Sequence, residues 1–272
     1  MQEHFGKSMN MARIKLMALL IHALCVVQKV SLHKLAAAMP ADAKRNSNMR
    51  RIQRFLAKYS LDLDLIARMI FSLLPNRRGL VLSMDRTNWK FGGFNINILM
   101  LGVTYKGVAF PLIFKLMPKR GNSRWTERKE LVERFEKLFG YGCIDCLVAD
   151  REFVGKDWTG WLNSMRIRYY IRIRQNFWVQ NPRSAEKTRA WNLFNRVRLG
   201  EELFYHKPYL MNGEYVYLVG EHEDMHIKKI RVLKHGHRSK SIVKYGLEEI
   251  ADVLNRPWQQ PDFDIFNFLS CN

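Results

Sequence analysis

The chain is poor in cysteine, in acidic residues and in long apolar runs. Its four cysteines, Cys25, Cys143, Cys146 and Cys271, stand at irregular intervals in 272 residues, too few for a disulfide framework, which points to a reducing compartment. The longest apolar run, Leu16 to Val27, is interrupted by His22 and reaches 12 residues, short of the roughly 20 that span a bilayer. No membrane span is expected. Arg13 and Lys15 before that run and Ala36-Ala37-Ala38 after it imitate a secretory signal, but Ser31-Leu32-His33-Lys34-Leu35 between them reads as a second capped amphipathic helix. Internal repeats and low-complexity segments are also missing, which sets aside solenoids and linkers.

Against 25 acidic residues stand 45 basic ones, a formal net charge of +20. With 47% hydrophobic residues the chain can bury a core, so the charge sits on a folded scaffold rather than on a flexible polycation. Such an excess repels itself, and its commonest use is to face a polyanion, with nucleic acid the first candidate and an anionic membrane surface the second. Half of it lies in residues 1–80, where 14 basic and 4 acidic residues leave +10; residues 221–272 are balanced, eight against eight.

Residues 1–80 contain no convincing strand. The pattern predicts a helix from Ala12 to Lys29, a short one opened by Ser31 and closed before Pro40, and a third opened near Asn46 or Ser47. A fourth starts at Ser60, with Asp62 and Asp64 in its first turn, and stops before Pro75. The third carries Arg50, Arg51, Arg54 and Lys58 opposite Ile52, Phe55 and Leu56. That basic side suits a phosphate backbone or a groove, and it equally suits the solvated face of a helical bundle.

From Gly79 the texture changes to apolar β-type runs, Leu80 to Met84, Ile96 to Tyr105, Val108 to Met117, Cys146 to Ala149 and Tyr169 to Ile173. An amphipathic helix over Ser123 to Phe139 and another over Trp158 to Met165 complete a mixed α/β order. Residues 175–220 read as irregular, with short strands near Glu202 to Tyr205 and Tyr215 to Val219. Beyond them come a basic stretch, a helix from Tyr245 to Leu254 and a Pro-broken apolar tail.

Two aspartates follow apolar strands, Asp85 after Leu80-Val81-Leu82-Ser83-Met84 and Asp150 after Cys146-Leu147-Val148-Ala149. Strand ends are where open α/β sheets gather their chemistry. Two carboxylates brought together there repel, with one pKa raised, unless a cation stands between them. Oxygen ligands in low number suit magnesium or manganese, and paired metals can clamp an in-line displacement at phosphorus. Either Asp taken singly also serves as an ordinary cap.

Asp85-Arg86-Thr87-Asn88-Trp89-Lys90-Phe91-Gly92 before a long strand pair, and Ala149-Asp150-Arg151-Glu152-Phe153-Val154-Gly155 before a helix, resemble the first two acidic motifs of DDE transposases of bacterial insertion sequences, family four, YREK subgroup. The likeness covers nearly the whole chain, down to His235-Gly236-His237-Arg238-Ser239-Lys240-Ser241-Ile242, which resembles the family's terminal basic motif. It implies an α/β (α+β) fold with a helical DNA-binding region over 1–78, an RNase H-like mixed-sheet core over 79–220 that opens a β insertion, and a basic C-terminal segment over 221–272. It implies Asp85 and Asp150 as catalytic, metal-binding carboxylates for magnesium or manganese, with Arg151 and Glu152 supporting the second. The expected partner is double-stranded DNA, at inverted-repeat ends and target, bound by a homodimer on paired ends in the cytoplasm, with the nucleoid.

The family's third acid, a Glu in a Y-(2)-R-(3)-E-(6)-K signature, is not found: Tyr205, Tyr209, Tyr215, Tyr217 and Tyr245 are followed three positions later by Pro208, Asn212, Leu218, Gly220 and Glu248, never Arg. Gly213 to Leu218 resembles the end of the inserted β region and Met225 to Ser241 the last basic segment, which implies an internal deletion around Leu218 to Glu223 and a defective transposase. A DNA-binding protein or transposition inhibitor without catalysis is the alternative; a metal-dependent nuclease using Glu152 or Glu221 as substitute acid is another.

Other constellations are weaker. Cys143-Ile144-Asp145-Cys146 has zinc spacing without a second pair. Arg172 and Arg174 precede Trp178 on an alternating strand, a basic and aromatic surface suited to stacking on distorted DNA ends, although packing explains a Trp equally well. The like charges Arg166, Arg168, Arg172 and Arg174 on one face are unfavourable unless phosphate neutralises them. Lys90, Arg151, His237, Arg238 and Lys240 complete the expected DNA contacts.

Overall fold

The computed structural model describes residues 1–40, 43–91, 93–224 and 227–233. His237, Arg238, Lys240, the helix expected over Tyr245 to Leu254 and the tail lie outside them. The chain divides into two compact units, one containing Met1–Leu73 and the other Leu74–Arg256.

The elements of the first unit among the described residues are helices: α1 Gln2–Phe5, α2 Met11–Val27, α3 Leu32–Ala38, α4 Arg45–Lys58 and α5 Leu63–Ser72. Its caps differ from the sequence expectation. Asn10 caps α2 by accepting from the Arg13 amide at 3.0 Å, and Asp62 precedes α5 rather than joining its first turn, its Oδ1 accepting from the Asp64 and Leu65 amides at 3.0 and 3.1 Å. Ser31 sits at the N-cap of α3 with no side-chain capping bond, and α4 begins at Arg45, so Asn46 and Ser47 fall inside its first turn. In α4 the inward positions are Asn48, Ile52 and Phe55, at helical spacing, while Leu56 is exposed. Leu16, Leu20 and Ala23 of α2, Leu35 and Ala36 of α3, and Ile52 and Phe55 of α4 share one core cluster. Among the described residues no single helix is long and apolar enough to cross a membrane, and α2 with α3, which reaches that composition as a pair, is bent by 103°.

The second unit opens with β1 Leu80–Phe91, β2 Phe94–Tyr105 and β3 Val108–Met117, followed by α6 Trp125–Phe139, β4 Ile144–Ala149, a single 3-10 turn Arg151–Phe153, α7 Lys156–Ser164 and β5 Arg168–Ile173. The sheet order is β3-β2-β1-β4-β5. The first three strands are antiparallel, and β4 and β5 run parallel to β1. That is the mixed, RNase H-like sheet expected from the sequence. Cys146, Leu147, Val148 and Ala149 are all buried, as a parallel strand covered on both faces requires. Leu131, Val132 and Phe135 of α6 and Trp158 and Leu162 of α7 are buried in the same unit.

Beyond β5 the short strands expected near Glu202 to Tyr205 and Tyr215 to Val219 are present, as Glu202–Phe204 and within Glu214–Asp224, but the stretch around them is more regular than expected. Short strands β6 Trp178–Gln180 and β7 Lys187–Arg189, the turn of helix α8 Ala190–Leu193, β8 Glu202–Phe204 and β9 Tyr209–Met211 lead into β10 Glu214–Asp224 and β11 Ile227–Leu233. The last of these pairs antiparallel with β5, Val232 opposite Ile171, and β10 pairs with β11. Residues 218–223, where a deletion is expected, run within β10, which carries an irregularity between His222 and Asp224. Gly220 there is required by packing, since the Phe194 ring occupies the place of a Cβ.

Candidate active site: two carboxylates beside an arginine-locked third

The last paired rung between β1 and β4 is Met84 opposite Ala149. Asp85 and Asp150 are the next residues on each strand, so the parallel register sets the two carboxylates side by side at one edge. One detail differs from the sequence reading: Asp85 does not end its strand, because β1 continues with β2 as a two-stranded ribbon to Phe91. The antiparallel partner supplies the ladder for a polar stretch that carries no apolar alternation of its own.

Burial first, and then the neighbouring charges of Glu152 and Asp150, push the Asp85 carboxyl above its ordinary range, against the opposing pull of the Arg86 amide. Asp150 Oδ1 is shielded from solvent and accepts no hydrogen bond; its ion pair with Arg172 Nη1 is long, 3.9 Å. A carboxylate oxygen that accepts no hydrogen bond, on a side chain 47% exposed, beside a destabilised second carboxylate, leaves room for a cation. A hard divalent ion with waters and phosphate oxygens as its remaining ligands fits that donor set. A full cage does not exist: among the described residues no group of three His, Cys, Asp or Glu side chains is arranged to hold a metal ion.

Glu152 is the nearby acid, and its carboxylate is taken. Arg86 grips it through two bonds, Nε to Oε1 at 2.8 Å and Nη2 to Oε2 at 2.7 Å, the bidentate geometry that makes Arg–carboxylate pairs strong. The same guanidinium reaches Asn97 Oδ1 and Asn122 Oδ1, each at 3.4 Å. Buried Asn97 in turn donates to the carbonyls of Lys119 and Gly121. Arg128 of α6, 5% exposed, donates from Nε to Ser123 Oγ and from Nη2 to the carbonyls of Ser123 and Glu152, at 2.8, 2.8 and 3.1 Å, and stacks over Phe153. Burial pulls its pKa down to about 10. Sequence reading passed over Arg86, Asn97 and Arg128. Arg86 stood beside a candidate acid and could have been suspected; Arg128 sits among the charges of an amphipathic helix, and nothing in the sequence marks it as buried.

Glu221 falls on the same edge of the sheet by register, but on β10, with β11 and β5 intervening before β4. Three strand spacings amount to about 14 Å, too far for it to share an ion with Asp150.

The expected DNA contacts are spread out. On α4, Arg50, Arg54 and Lys58 are exposed and Arg51 is half-buried, its Nη1 donating to Asn48 Oδ1 at 3.5 Å. Lys90 lies on β1 opposite Asn95, about 17 Å along the strand from Asp85. Arg151, exposed, opens the turn after Asp150. Arg168 and Arg172 face one side of β5 as expected, and a carboxylate stands beside each, Asp145 for the first and Asp150 for the second. Arg166 lies outside the strand with a positive φ of 56°, and Arg174 lies past its end. Trp178 is 53% exposed and begins a separate strand; its cationic partner is Arg189 of β7, 3.9 Å from the ring centroid, not Arg172 or Arg174.

No protein-family model matches the chain, and no curated protein matches it. Among solved structures it is similar to a piggyBac transposase in a synaptic complex with hairpin DNA, at 14% identity and TM-score 0.45 over 88% of this chain and 56% of that one. The chain therefore spans little more than half the length of that protein. It is also similar to the NurA nuclease of Sulfolobus solfataricus (8% identity, TM-score 0.30, 76% of this chain and 82% of that one). A third likeness is to the Marinitoga piezophila Argonaute in complex with 5′ OH guide RNA and target DNA (10%, TM-score 0.26, 78% and 30%).

Proposed function

We propose that the chain is an insertion-sequence transposase of the DDE type, an internally deleted copy that binds element-end DNA and cleaves it poorly or not at all. One observation carries this reading: two carboxylates at the end of the β1–β4 pairing share an edge of an RNase H-like sheet, and the acid beside them, Glu152, is held by an arginine. Magnesium or manganese would be held by Asp85 and Asp150, and bound there it would supply Lewis-acid activation of a phosphodiester. Asp150 Oδ1, without a donor, supports that assignment. Among the described residues no helix follows α8, where the resemblance would set the third acid.

The exposed arginines of α4, on a helix that α3 packs against, support double-stranded DNA as the partner, met through phosphates and a groove. Arg151, Arg172, Arg174 and Trp178, with Lys90, His237, Arg238 and Lys240, are proposed as further DNA contacts, made by a homodimer on paired ends in the nucleoid. The test is a gel-shift and nicking assay on DNA carrying the element's inverted repeats, with magnesium and with manganese. Binding without strand nicking or joining is the expected result; robust cleavage abolished by Asp85→Ala would overturn the deletion reading.

A further inference from the structure

The Arg86–Glu152 pair does more than fill space. Glu152 lies two residues beyond Asp150, and its charge, like that of Asp150, bears on Asp85; Asp150 has only a long ion pair with Arg172. Both Glu152 oxygens are occupied by one guanidinium, in a pair whose side chains are only 12% and 22% exposed. The backbone of the turn does not depend on that pair. Arg128 Nη2 holds the Glu152 carbonyl, the Phe153 amide donates to the Asp150 carbonyl at 3.0 Å, and the Phe153 ring is fully buried. Arg86 has its own independent supports in Asn97 and Asn122. The guanidinium is thus a resident cation next to Asp85, bound to the acid that follows Asp150 by two residues.

We propose that Arg86 is a built-in competitor of the divalent cation: by holding Glu152 it keeps a third carboxylate away from Asp85 and Asp150, and so keeps metal binding weak. This rests on the reading of Asp85 and Asp150 as cation ligands. Electrostatics gives the direction. Replacing Arg86 by a neutral side chain removes one positive charge from the site and frees one anionic ligand already fixed beside it, and both changes favour the ion.

The test is manganese binding to the 272-residue chain by calorimetry, with electron paramagnetic resonance of the unbound ion as a second readout. Arg86→Met should tighten manganese binding by about tenfold or more, the scale on which groups around a metal site act. Arg86→Met with Glu152→Gln should return it to within about threefold of the parent chain, since the gain is Glu152's. Arg86→Lys, which keeps a cation beside Glu152, should stay near the parent. Unchanged or weakened binding in a folded Arg86→Met variant overturns the proposal, as does a gain that survives Glu152→Gln. Arg86→Gln, whose amide can still donate to Glu152, is held to the same tightening should Arg86→Met fail to fold. A chain that folds with neither also overturns it, because the turn would then depend on Arg86 and not on Arg128. Asp85→Asn separates the two readings: if manganese binding survives that change, the assignment of the site fails; if it is lost while Arg86→Met gains nothing, the competitor proposal alone fails.

Discussion

Asp85 carries the plainest physical signature in the molecule, a carboxylate that the fold destabilises. A raised pKa in the folded state means that ionising this group costs stability, so its contribution is full below the unfolded value and falls as pH rises through the folded one. Asp85→Asn should therefore match the parent chain at pH well below the ordinary value of 3.8 and exceed it at neutral pH in chelator, by about 0.5–2 kcal/mol, the usual gain on relieving such a liability. Thermal melts across that pH range in chelator check this, and a variant less stable at neutral pH would show that the carboxylate is satisfied. Arg128 behaves oppositely. Arg128→Met strands the Glu152 and Ser123 carbonyls and the Ser123 hydroxyl in a buried place, and should cost about 2–4 kcal/mol by denaturant unfolding.

At the scale of elements, β10 and β11 decide how the sheet is completed beyond β5, and Gly220 is their most sensitive point. Gly220→Ala drives a methyl into the Phe194 ring and should cost about 1–3 kcal/mol, measured by urea unfolding; pairing it with Phe194→Ala should recover part of that loss. The sequence made the strands of the core legible because β4 and the first half of β1 are apolar runs and β2, β3 and β5 are rich in apolar and β-branched or aromatic residues. It set the α5 start at Ser60, three residues early, because Asp62, read as part of the first turn, is the cap. It did not reveal β6, β7 or β9, three residues each and too short to show a period, or the charge-interrupted β11; they are strands because a neighbour's backbone pairs with them. The site divides in the same way. Asp85 and Asp150 could be read from strand context, whereas the Arg86–Glu152 pair joins residues 66 positions apart and exists only after β1 and β4 have paired.

For the whole molecule the net charge of +20 is the property most open to measurement. If the basic face of α4 meets phosphate, each arginine there releases condensed counterions on binding, and the logarithm of affinity falls linearly with the logarithm of salt at about −0.9 per neutralised phosphate. The parent chain should lose binding to duplex DNA steeply between about 50 and 200 mM salt. Replacing Arg50, Arg51 and Arg54 by Gln should flatten that slope by about one for each phosphate no longer neutralised. Arg50 and Arg54 are exposed and Arg51 half-buried with a bond to Asn48, so the first two should account for most of the change. Fluorescence anisotropy on one duplex across a series of salt concentrations measures it. A slope unaltered in the triple variant would move the DNA-binding surface away from α4, to the basic residues of the second unit, and would leave α4 as the solvated face of a helical bundle.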